Sequence, residues 1–174
     1  MTKVIQFTGL SGAGKTTLAS GISKVLSEMG FKVLIIDGDE FRRTYAADLG
    51  FSRADRLKNI TRMANYVNRQ KSSYNFIFIS AINPFEETRQ LLRTQCAAEL
   101  VYVKCPLEIL IQRDTKGLYR RAMLPKEHPE YLGNLTGLNQ VFDEPVENVY
   151  VIDTSVLSEE EAIETIREKC CIPF

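Results

Sequence analysis

The stretch FTGLSGAGKTTLAS, residues 7–20, decides the fold. It contains the pattern G-x-x-x-x-G-K-[ST], which runs from Gly9 through Gly14 and Lys15 to Thr16. The apolar run KVIQFT precedes the pattern and predicts a buried strand. Apolar residues at helical spacing follow it until a glycine at position 30. Because the pattern lies between a strand and a helix, it predicts a P-loop, the turn that binds the phosphates of a nucleoside triphosphate.

Each part of the predicted P-loop has a chemical task. The glycines allow backbone N–H groups to point at phosphate oxygens, and the helix N-terminus adds partial positive charge. We expect Lys15 to bridge the terminal phosphates and Thr16 to bind Mg²⁺. The expected triphosphate-binding residues are Gly9, Ser11, Gly12, Ala13, Gly14, Lys15, Thr16 and Thr17.

Strands and helices alternate along the rest of the chain. Four further apolar runs predict strands, namely KVLIIDGD, NFIFIS, ELVYVKC and the edge-like VYVID. Helical patterns lie between them, and Ser52 and Ser158 each stand three residues before an acid in a capping-box arrangement. This order predicts an α/β protein with three layers, in which a parallel sheet of about five strands carries helices on both faces.

Residues 114–145 interrupt this alternation. They are polar, contain several prolines and glycines, and lack sustained periodicity. A connection of this length is usually functional or disordered, and we interpret it as a mobile lid. The chain of 174 residues then forms a single domain, residues 1–174, that includes the lid.

Composition excludes several classes of protein. The net charge of zero gives no general attraction to nucleic acid or to anionic membranes. The four cysteines lack metal-site spacing, which favours free thiols in a reducing compartment. We see no signal-peptide layout and no apolar run long enough to span a bilayer. We therefore expect a cytoplasmic protein with a small-molecule partner, no nucleic acid and no membrane.

A GTPase switch is the competing class of P-loop protein. Guanine recognition needs an Asn/Thr-Lys-x-Asp element after a late strand, but CPLEI follows ELVYVK here. A D-x-x-G sequence occurs from Asp114 to Gly117, but it follows a predicted helix rather than a strand. The sequence therefore favours a kinase.

The block of residues 37–64 carries the candidates for binding the phosphate acceptor. Asp37 and Asp39 follow a parallel strand, at the end where ligands bind in open α/β sheets. A carboxylate there can accept a hydroxyl proton or hold Mg²⁺ through water.

Aromatic and basic side chains in the same block have more than one interpretation. Arg42, Arg56 and Arg62 are candidate anion ligands, although a solvated helix face is favoured for Arg62. Phe51 is either a core residue or a side chain that stacks on a base.

The segments GLSGAGKTT, DGDEFR, DLGFSRADRLKNI, RDTKGLYRRA and NLTGL occur in this order over most of the chain. With them the sequence resembles the adenylyl-sulfate (APS) kinase family. That family transfers the γ-phosphate of ATP to the ribose 3′-hydroxyl of APS, giving 3′-phosphoadenylyl sulfate. The resemblance implies a P-loop kinase fold, ATP and Mg²⁺ as cofactors, and a homodimer.

The resemblance also implies roles for individual residues. Lys15, Asp39 and Lys116 would be catalytic, with Asp39 also near the metal bound by Thr16 and acting on the accepting hydroxyl as base or as positioner. Arg113 would lie against the adenine of ATP. The implied acceptor-binding residues are Asp39, Arg42, Phe51, Arg56, Asn59, Ile82, Asn83, Lys116 and Leu135.

The sequence departs from the family at the acceptor pocket. Where the family usually has Phe-Ile-Ser-Pro, this chain has Ala81, Ile82, Asn83 and Pro84, and Leu135 replaces a phenylalanine that encloses the base. RDPKGLY has also become RDTKGLY.

These departures leave three functions open. The protein is an APS kinase with a looser pocket, or a relative that phosphorylates the 3′-hydroxyl of another nucleotide, such as the cytidine diphosphate phosphoramidate of capsule modification. The third is a non-catalytic nucleotide-binding protein, against which the retained Lys15, Thr16, Asp39, Arg42 and Lys116 argue.

Overall fold

The computed structural model describes residues 2–173. Its centre is one sheet of five parallel strands in the order β2-β3-β1-β4-β5. The strands are β1 (Lys3–Thr8), β2 (Val33–Asp37), β3 (Phe76–Ser80), β4 (Glu99–Lys104) and β5 (Tyr150–Asp153). The predicted parallel sheet is confirmed, with β5 at an edge as expected.

Helices cover both faces of the sheet. Helices α1 (Lys15–Glu28) and α7 (Glu159–Lys169) pack on one face, and α2 (Gly38–Tyr45), α3 (Arg53–Gln70) and α4 (Glu86–Cys96) on the other. The short helices α5 (Leu107–Arg113) and α6 (Leu118–Ala122) follow β4. Each face has its own apolar core, because Val4 of β1 points into one and Ile5 and Phe7 into the other. The three-layer α/β fold is therefore confirmed.

The predicted caps are present, but three helices were missed. Ser52 and Ser158 accept hydrogen bonds from the backbone N–H of Asp55 and Glu161. The carboxylate of Asp37 caps helix α2, and the predicted strand KVLIIDGD extended into the first turn of this helix. Helix α4 has no side-chain cap, and α6 lies inside the predicted lid. These helices carry few apolar residues, so periodicity gave little signal.

The amino-acid composition also led to predictions about the cysteines and about membrane-spanning segments. All four cysteines are free thiols, as predicted. Within residues 2–173, every helix is too short or too polar to cross a membrane.

Gly9 shows how closely the sheet approaches the P-loop. It has a φ of +145°, and a Cβ atom there would lie 2.3 Å from the backbone oxygen of Val103. Gly30 also has a positive φ, +86°, but nothing lies within 4 Å of the same position. Glycine is therefore needed at Gly9 for space as well as for conformation.

We expect Gly9→Ala to lower the free energy of unfolding by about 3 kcal/mol or more, because β1 and β4 would have to move apart. Gly30→Ala, the matched control, would lower it by about 1–2 kcal/mol through its φ alone. Urea unfolding of both variants measures the difference. Equal losses would contradict a steric requirement at Gly9.

Candidate active site

The P-loop connects β1 to α1 in the predicted conformation. Gly12 and Gly14 have φ values of +79° and +97°, which turn successive backbone N–H groups toward one side. The ammonium of Lys15 is 2.7 Å from the carbonyl oxygen of Leu10, so this side chain folds back over the loop. The turn therefore forms a cradle at the N-terminus of a 14-residue helix.

The electrostatics of Lys15 suit an anionic ligand. The residue is only 9% exposed, and burial lowers the pKa of its ammonium to about 8 from the ordinary 10.5. The carboxylate of Asp39 opposes this shift in pKa, and the charge of Lys116 adds to it. The buried ammonium is thus incompletely neutralised by the protein, and a polyphosphate would supply the missing negative charge.

Three oxygen groups meet at the carboxyl ends of β2 and β3. The hydroxyl of Thr16 donates to the Asp37 carboxylate at 3.1 Å and lies 2.8 Å from the Ser80 hydroxyl. The other carboxylate oxygen of Asp37 accepts from the backbone N–H of Asp39 at 2.9 Å. The carboxylate in contact with Thr16 is therefore that of Asp37, whereas the sequence prediction paired Thr16 with Asp39 as the metal residues.

Two cavities lie side by side above the sheet. One, of about 280 Å³, is lined by P-loop residues that include Lys15, Thr16 and Thr17. The other, of about 570 Å³, is lined mainly by residues from α2, α3 and the segment after α6. We call them the phosphate cavity and the acceptor cavity. Both are lined by Asp37, Asp39, Ala81, Ile82, Lys116 and Leu118.

An ion pair stands at the junction of the two cavities. The ammonium of Lys116 lies 3.0 Å from the Asp39 carboxylate, and the two side chains are 58% and 74% exposed. Asp39 reaches this point from the first turn of α2, and Lys116 from the turn that precedes α6. Two residues predicted to be catalytic from distant parts of the sequence are therefore in contact.

Two arginines and one aromatic ring form one wall of the acceptor cavity. The guanidinium carbons of Arg42 and Arg56 lie 4.7 and 5.5 Å from the centroid of the Phe51 ring. Phe51 is 44% exposed, so the alternative that it is a core residue is wrong. Its ring instead lines the cavity, as base stacking requires.

The same arginines favour an anion. Burial lowers the pKa of Arg42, and it lowers the pKa of Arg56 to about 10, with the charge of Arg42 adding to the effect. Arg42 donates to the carbonyl of Gly50, and Arg56 to Thr136 and Gln140. Within residues 2–173 neither forms a salt bridge, so their charge is available to a ligand. Arg62 instead forms a salt bridge with Asp48 at the surface, which agrees with the prediction that it lies on a solvated helix face.

Buried amides lie on the floor of the acceptor cavity. Asn59 and Asn83 are 7% and 6% exposed, and in the described chain the Oδ1 atom of each lacks a hydrogen-bond donor. A buried acceptor without a donor costs about 1–3 kcal/mol. These oxygens suit a ligand that carries N–H or O–H groups.

The departures at positions 81, 83 and 135 sit together around this cavity, whereas Thr115 lines the phosphate cavity. Ala81, Ile82 and Asn83 line the acceptor cavity between β3 and α4, and the buried Leu135 lines it from the other side. A Cβ atom on Gly38 would lie 2.8 Å from the Cβ of Ala81, so the two small residues are packed closely. The pocket therefore has one aromatic wall, at Phe51, and one aliphatic wall, at Leu135.

Arg113 lies apart from both cavities. Its guanidinium donates to the carbonyl of Thr154 at 3.2 Å, and the hydroxyl of Thr154 donates to the carbonyl of Ala13 in the P-loop at 2.9 Å. Arg113 is therefore linked to the P-loop through Thr154.

Several contacts at the site were missed in the sequence. Ser80 is the last residue of β3, and Asp37 is the last residue of β2. The position of Ser80 at the carboxyl end of a predicted strand could therefore have identified it as a site residue. Tyr119 in α6 is buried, and its hydroxyl donates to the carbonyl of Ser11 in the P-loop at 2.8 Å. Gln140 and Thr154 follow no motif, and no sequence signal pointed to them.

The fold and the site define a P-loop kinase, in which a phosphate-binding loop faces a second cavity suited to an anionic nucleotide. Known proteins agree with this class. A family model described as adenylylsulphate kinase matches residues 1–153. The adenylyl-sulfate kinase of Chloroflexus aurantiacus is 38% identical over 162 residues, which cover 92% of this chain and 84% of the relative. That of Synechococcus sp. is 37% identical over 165 residues, covering 94% and 91%.

A solved structure agrees with the sequence relatives. The APS kinase of Mycobacterium tuberculosis, in complex with AMPPNP and APS, has a TM-score of 0.83 and 32% identity, with 95% of each chain covered. The chain therefore belongs to the adenylyl-sulfate kinase family, and it is a phosphotransferase with an alcohol group as acceptor. The relatives named here do not support the cytidine nucleotide as its acceptor.

Proposed function

We propose that this protein transfers the γ-phosphate of ATP to the ribose 3′-hydroxyl of adenylyl sulfate, giving ADP and 3′-phosphoadenylyl sulfate for sulfate assimilation. The proposal depends most on one observation, that the phosphate cavity and the acceptor cavity share Asp39 and Lys116. A donor phosphate in one cavity and an acceptor hydroxyl in the other would meet at these two side chains. Family membership supports the identity of the two nucleotides.

On the donor side, the P-loop would hold the β- and γ-phosphates of ATP. Lys15 would leave the carbonyl of Leu10 and bridge the terminal phosphates, and Arg113 would lie against the adenine. The cradle of backbone N–H groups and the helix N-terminus would bind the phosphate oxygens.

The oxygen groups near Thr16 fit Mg²⁺. The hydroxyl of Thr16 and the carboxylates of Asp37 and Asp39 are hard oxygen donors, and Mg²⁺ takes few protein ligands where phosphates and water supply the rest. Residues 2–173 contain no group of three or more His, Cys, Asp or Glu side chains placed to hold a metal, so most ligands of a bound Mg²⁺ would come from the phosphates and water. When bound, Mg²⁺ would neutralise charge on the phosphates.

On the acceptor side, the anion and the base would be held by separate groups. Arg42, Arg56 and Asn59 would hold the phosphosulfate and the sugar, while the adenine would stack on Phe51 and pack against Leu135. Ile82 and Asn83 would complete the pocket from the carboxyl end of β3.

The chemical step is a displacement at phosphorus. Asp39 would hold the 3′-hydroxyl in line with the γ-phosphate, as base or as positioner. The bond from the 3′-oxygen to the γ-phosphorus forms as the bond to the bridging oxygen of ADP breaks, and the hydroxyl proton leaves to the carboxylate or to water. Because this transition state is loose, positioning and charge neutralisation by Lys15 and Lys116 would carry most of the rate.

Turnover with separate acceptors tests the proposal. Purified protein with ATP and Mg²⁺ would be given adenylyl sulfate, cytidine diphosphate phosphoramidate or plain nucleoside diphosphates, and mass spectrometry would follow the products. We expect kcat/KM for adenylyl sulfate to exceed the others by roughly a hundredfold or more. A preference for the cytidine nucleotide would overturn the proposed acceptor, and ATP binding without turnover of any acceptor would overturn the enzyme function.

We expect Lys116→Ala to lower kcat/KM by roughly tenfold to a hundredfold, because a cation is lost beside the transferred phosphate. The melting temperature would change little, since an exposed ion pair contributes about 0–1 kcal/mol. Steady-state kinetics and thermal unfolding measure both effects, with the exposed Lys126→Ala in the same segment as the control. An unchanged kcat/KM would exclude a catalytic role for Lys116.

The homodimer, the cytoplasmic location and the mobility of residues 114–145 stay predictions.

A further inference from the structure

A fully buried arginine lies beneath the acceptor cavity. Arg89, on α4, is 0% exposed, and its guanidinium donates to the carbonyl oxygens of Asn83 at 3.1 Å and Asp143 at 2.6 Å. The two carbonyls are far apart in sequence. One belongs to the loop after β3, and the other ends the segment that follows α6. Arg89 therefore joins two separate parts of the chain.

Both parts form walls of the acceptor cavity. Asn83 and Pro84 line its floor, and Leu135 and Thr136 line its opposite side. Residues 135–143 form a compact turn, in which the amides of Asn139 and Gln140 donate to the carbonyl of Leu135. We call residues 135–143 the return segment.

The return segment is attached at both ends. Near its start, Arg56 donates to the hydroxyl of Thr136 at 3.3 Å, and the same guanidinium donates to Gln140 further along at 2.5 Å. At its end, the amide of Asp143 donates to the carbonyl of Pro84 at 2.9 Å, next to the carbonyl contacts made by Arg89. Arg89 and this amide together join the end of the segment to the loop at residues 83–84.

The burial of this charge needs an explanation. The carboxylate partner of Arg89, Glu86, is 52% exposed, so solvent screens the pair. An apolar side chain would fill the same space at less cost in desolvation. A guanidinium, unlike other side chains, has several N–H donors in one plane, and these reach the carbonyls of Asn83 and Asp143 at the same time. The contacts of Arg89 therefore suit a residue that holds the two carbonyl groups in fixed positions relative to each other.

We propose that Arg89 is a positioning residue that locks the return segment onto the loop at residues 83–84 and so gives the acceptor cavity its binding shape. The proposal rests on the proposed function, because it assigns the effect to the nucleotide acceptor. The triphosphate site would be affected less. The loop after β3 meets the start of the P-loop, where the hydroxyl of Thr8 lies 3.2 Å from the carbonyl of Asn83 and the N–H of Gly9 lies 3.5 Å from that of Ile82, but Arg89 makes neither of these contacts.

Arg89→Lys tests the proposal, because lysine keeps the charge but cannot reach both carbonyls in the same geometry. We expect the KM for adenylyl sulfate to rise about tenfold or more, with the KM for ATP within about twofold of wild type. Glu86→Gln is the matched control. It removes the ion pair and keeps both carbonyl contacts, so we expect both KM values to stay within about twofold. Equal changes in both KM values for Arg89→Lys would indicate general damage and overturn the proposal.

Hydrogen exchange gives a readout that needs no turnover. We expect the amides of Gly137, Asn139, Gln140 and Asp143 to exchange at least about tenfold faster in Arg89→Lys, while those of β1 and β4 keep their wild-type rates. Unchanged exchange in the return segment would overturn the locking role even if adenylyl sulfate is not the acceptor. Failure of the wild-type enzyme to use adenylyl sulfate, with faster exchange in the variant, would overturn only the proposed function.

A second variant covers the case in which Arg89→Lys does not fold. Phe142 stacks near Arg89, with its ring centroid 5.7 Å from the guanidinium carbon, and also packs on Tyr102. Phe142→Leu would loosen the return segment from its outer side, and we expect the same selective rise in the KM for adenylyl sulfate and the same faster exchange. Wild-type values for both would overturn the proposal.

Discussion

Replacing Lys15 with alanine is expected to lower kcat about a thousandfold or more while the protein stays folded. The ammonium donates a hydrogen bond to the carbonyl of Leu10, and its pKa is lowered to about 8 by burial. Removing a buried charge that the protein itself does not fully neutralise should not destabilise the fold. The loss would fall on the transition state, where charge on the transferred phosphate is greatest.

Single-turnover kinetics at saturating ATP and acceptor would measure this loss, and thermal unfolding would report on the fold. Lys24→Ala, an exposed lysine on the same helix, is the control and should keep wild-type kcat. A Lys15→Ala enzyme within tenfold of wild type would contradict the assignment of the phosphate cavity.

Asp39→Asn is expected to lower kcat roughly a hundredfold or more, the typical range for loss of an acid–base or positioning group. The side chain lines both cavities and contacts Lys116 at 3.0 Å, so it lies at the junction of the phosphate cavity and the acceptor cavity. Asparagine keeps the shape but removes the negative charge. The amide oxygen could still accept a hydrogen bond from the acceptor hydroxyl but could not take its proton, and the local balance of charge with Lys15 and Lys116 changes.

The kinetics of Asp39→Asn would be compared with those of Glu40→Gln, the next residue in the same turn of α2. We expect the control to keep wild-type kcat, because Glu40 lines neither cavity. If both variants behave alike, Asp39 has no special role in the chemical step.

The acceptor cavity is where this chain differs from the family pattern. Leu135 in place of an aromatic residue leaves the base with one aromatic wall, and stacking on an aromatic ring contributes about 0.5–1.5 kcal/mol beyond burial. The polar groups that would hold the anion, Arg42 and Arg56, are both present and free of salt bridges within residues 2–173. We therefore expect the departures to change affinity for the base more than the position of the ribose.

Local patterns predicted much of the fold because their physical causes are local. The P-loop, the five strands and the caps at Ser52 and Ser158 each depend on residues within one short stretch. Helices α2 and α4 escaped prediction because few of their residues are apolar, and their formation depends on packing against the sheet.

By itself the sequence determined the phosphate-binding turn, the parallel sheet and, through its ordered motifs, the family. Only the tertiary structure brought Asp39 to Lys116, placed Asp37 rather than Asp39 on Thr16, and exposed Phe51 between two arginines. It alone showed Arg89 joining Asn83 to Asp143. The reason is physical: a motif encodes backbone geometry within one turn, whereas contacts between different elements, such as that of Asp39 with Lys116, depend on how the whole sheet and its helices pack.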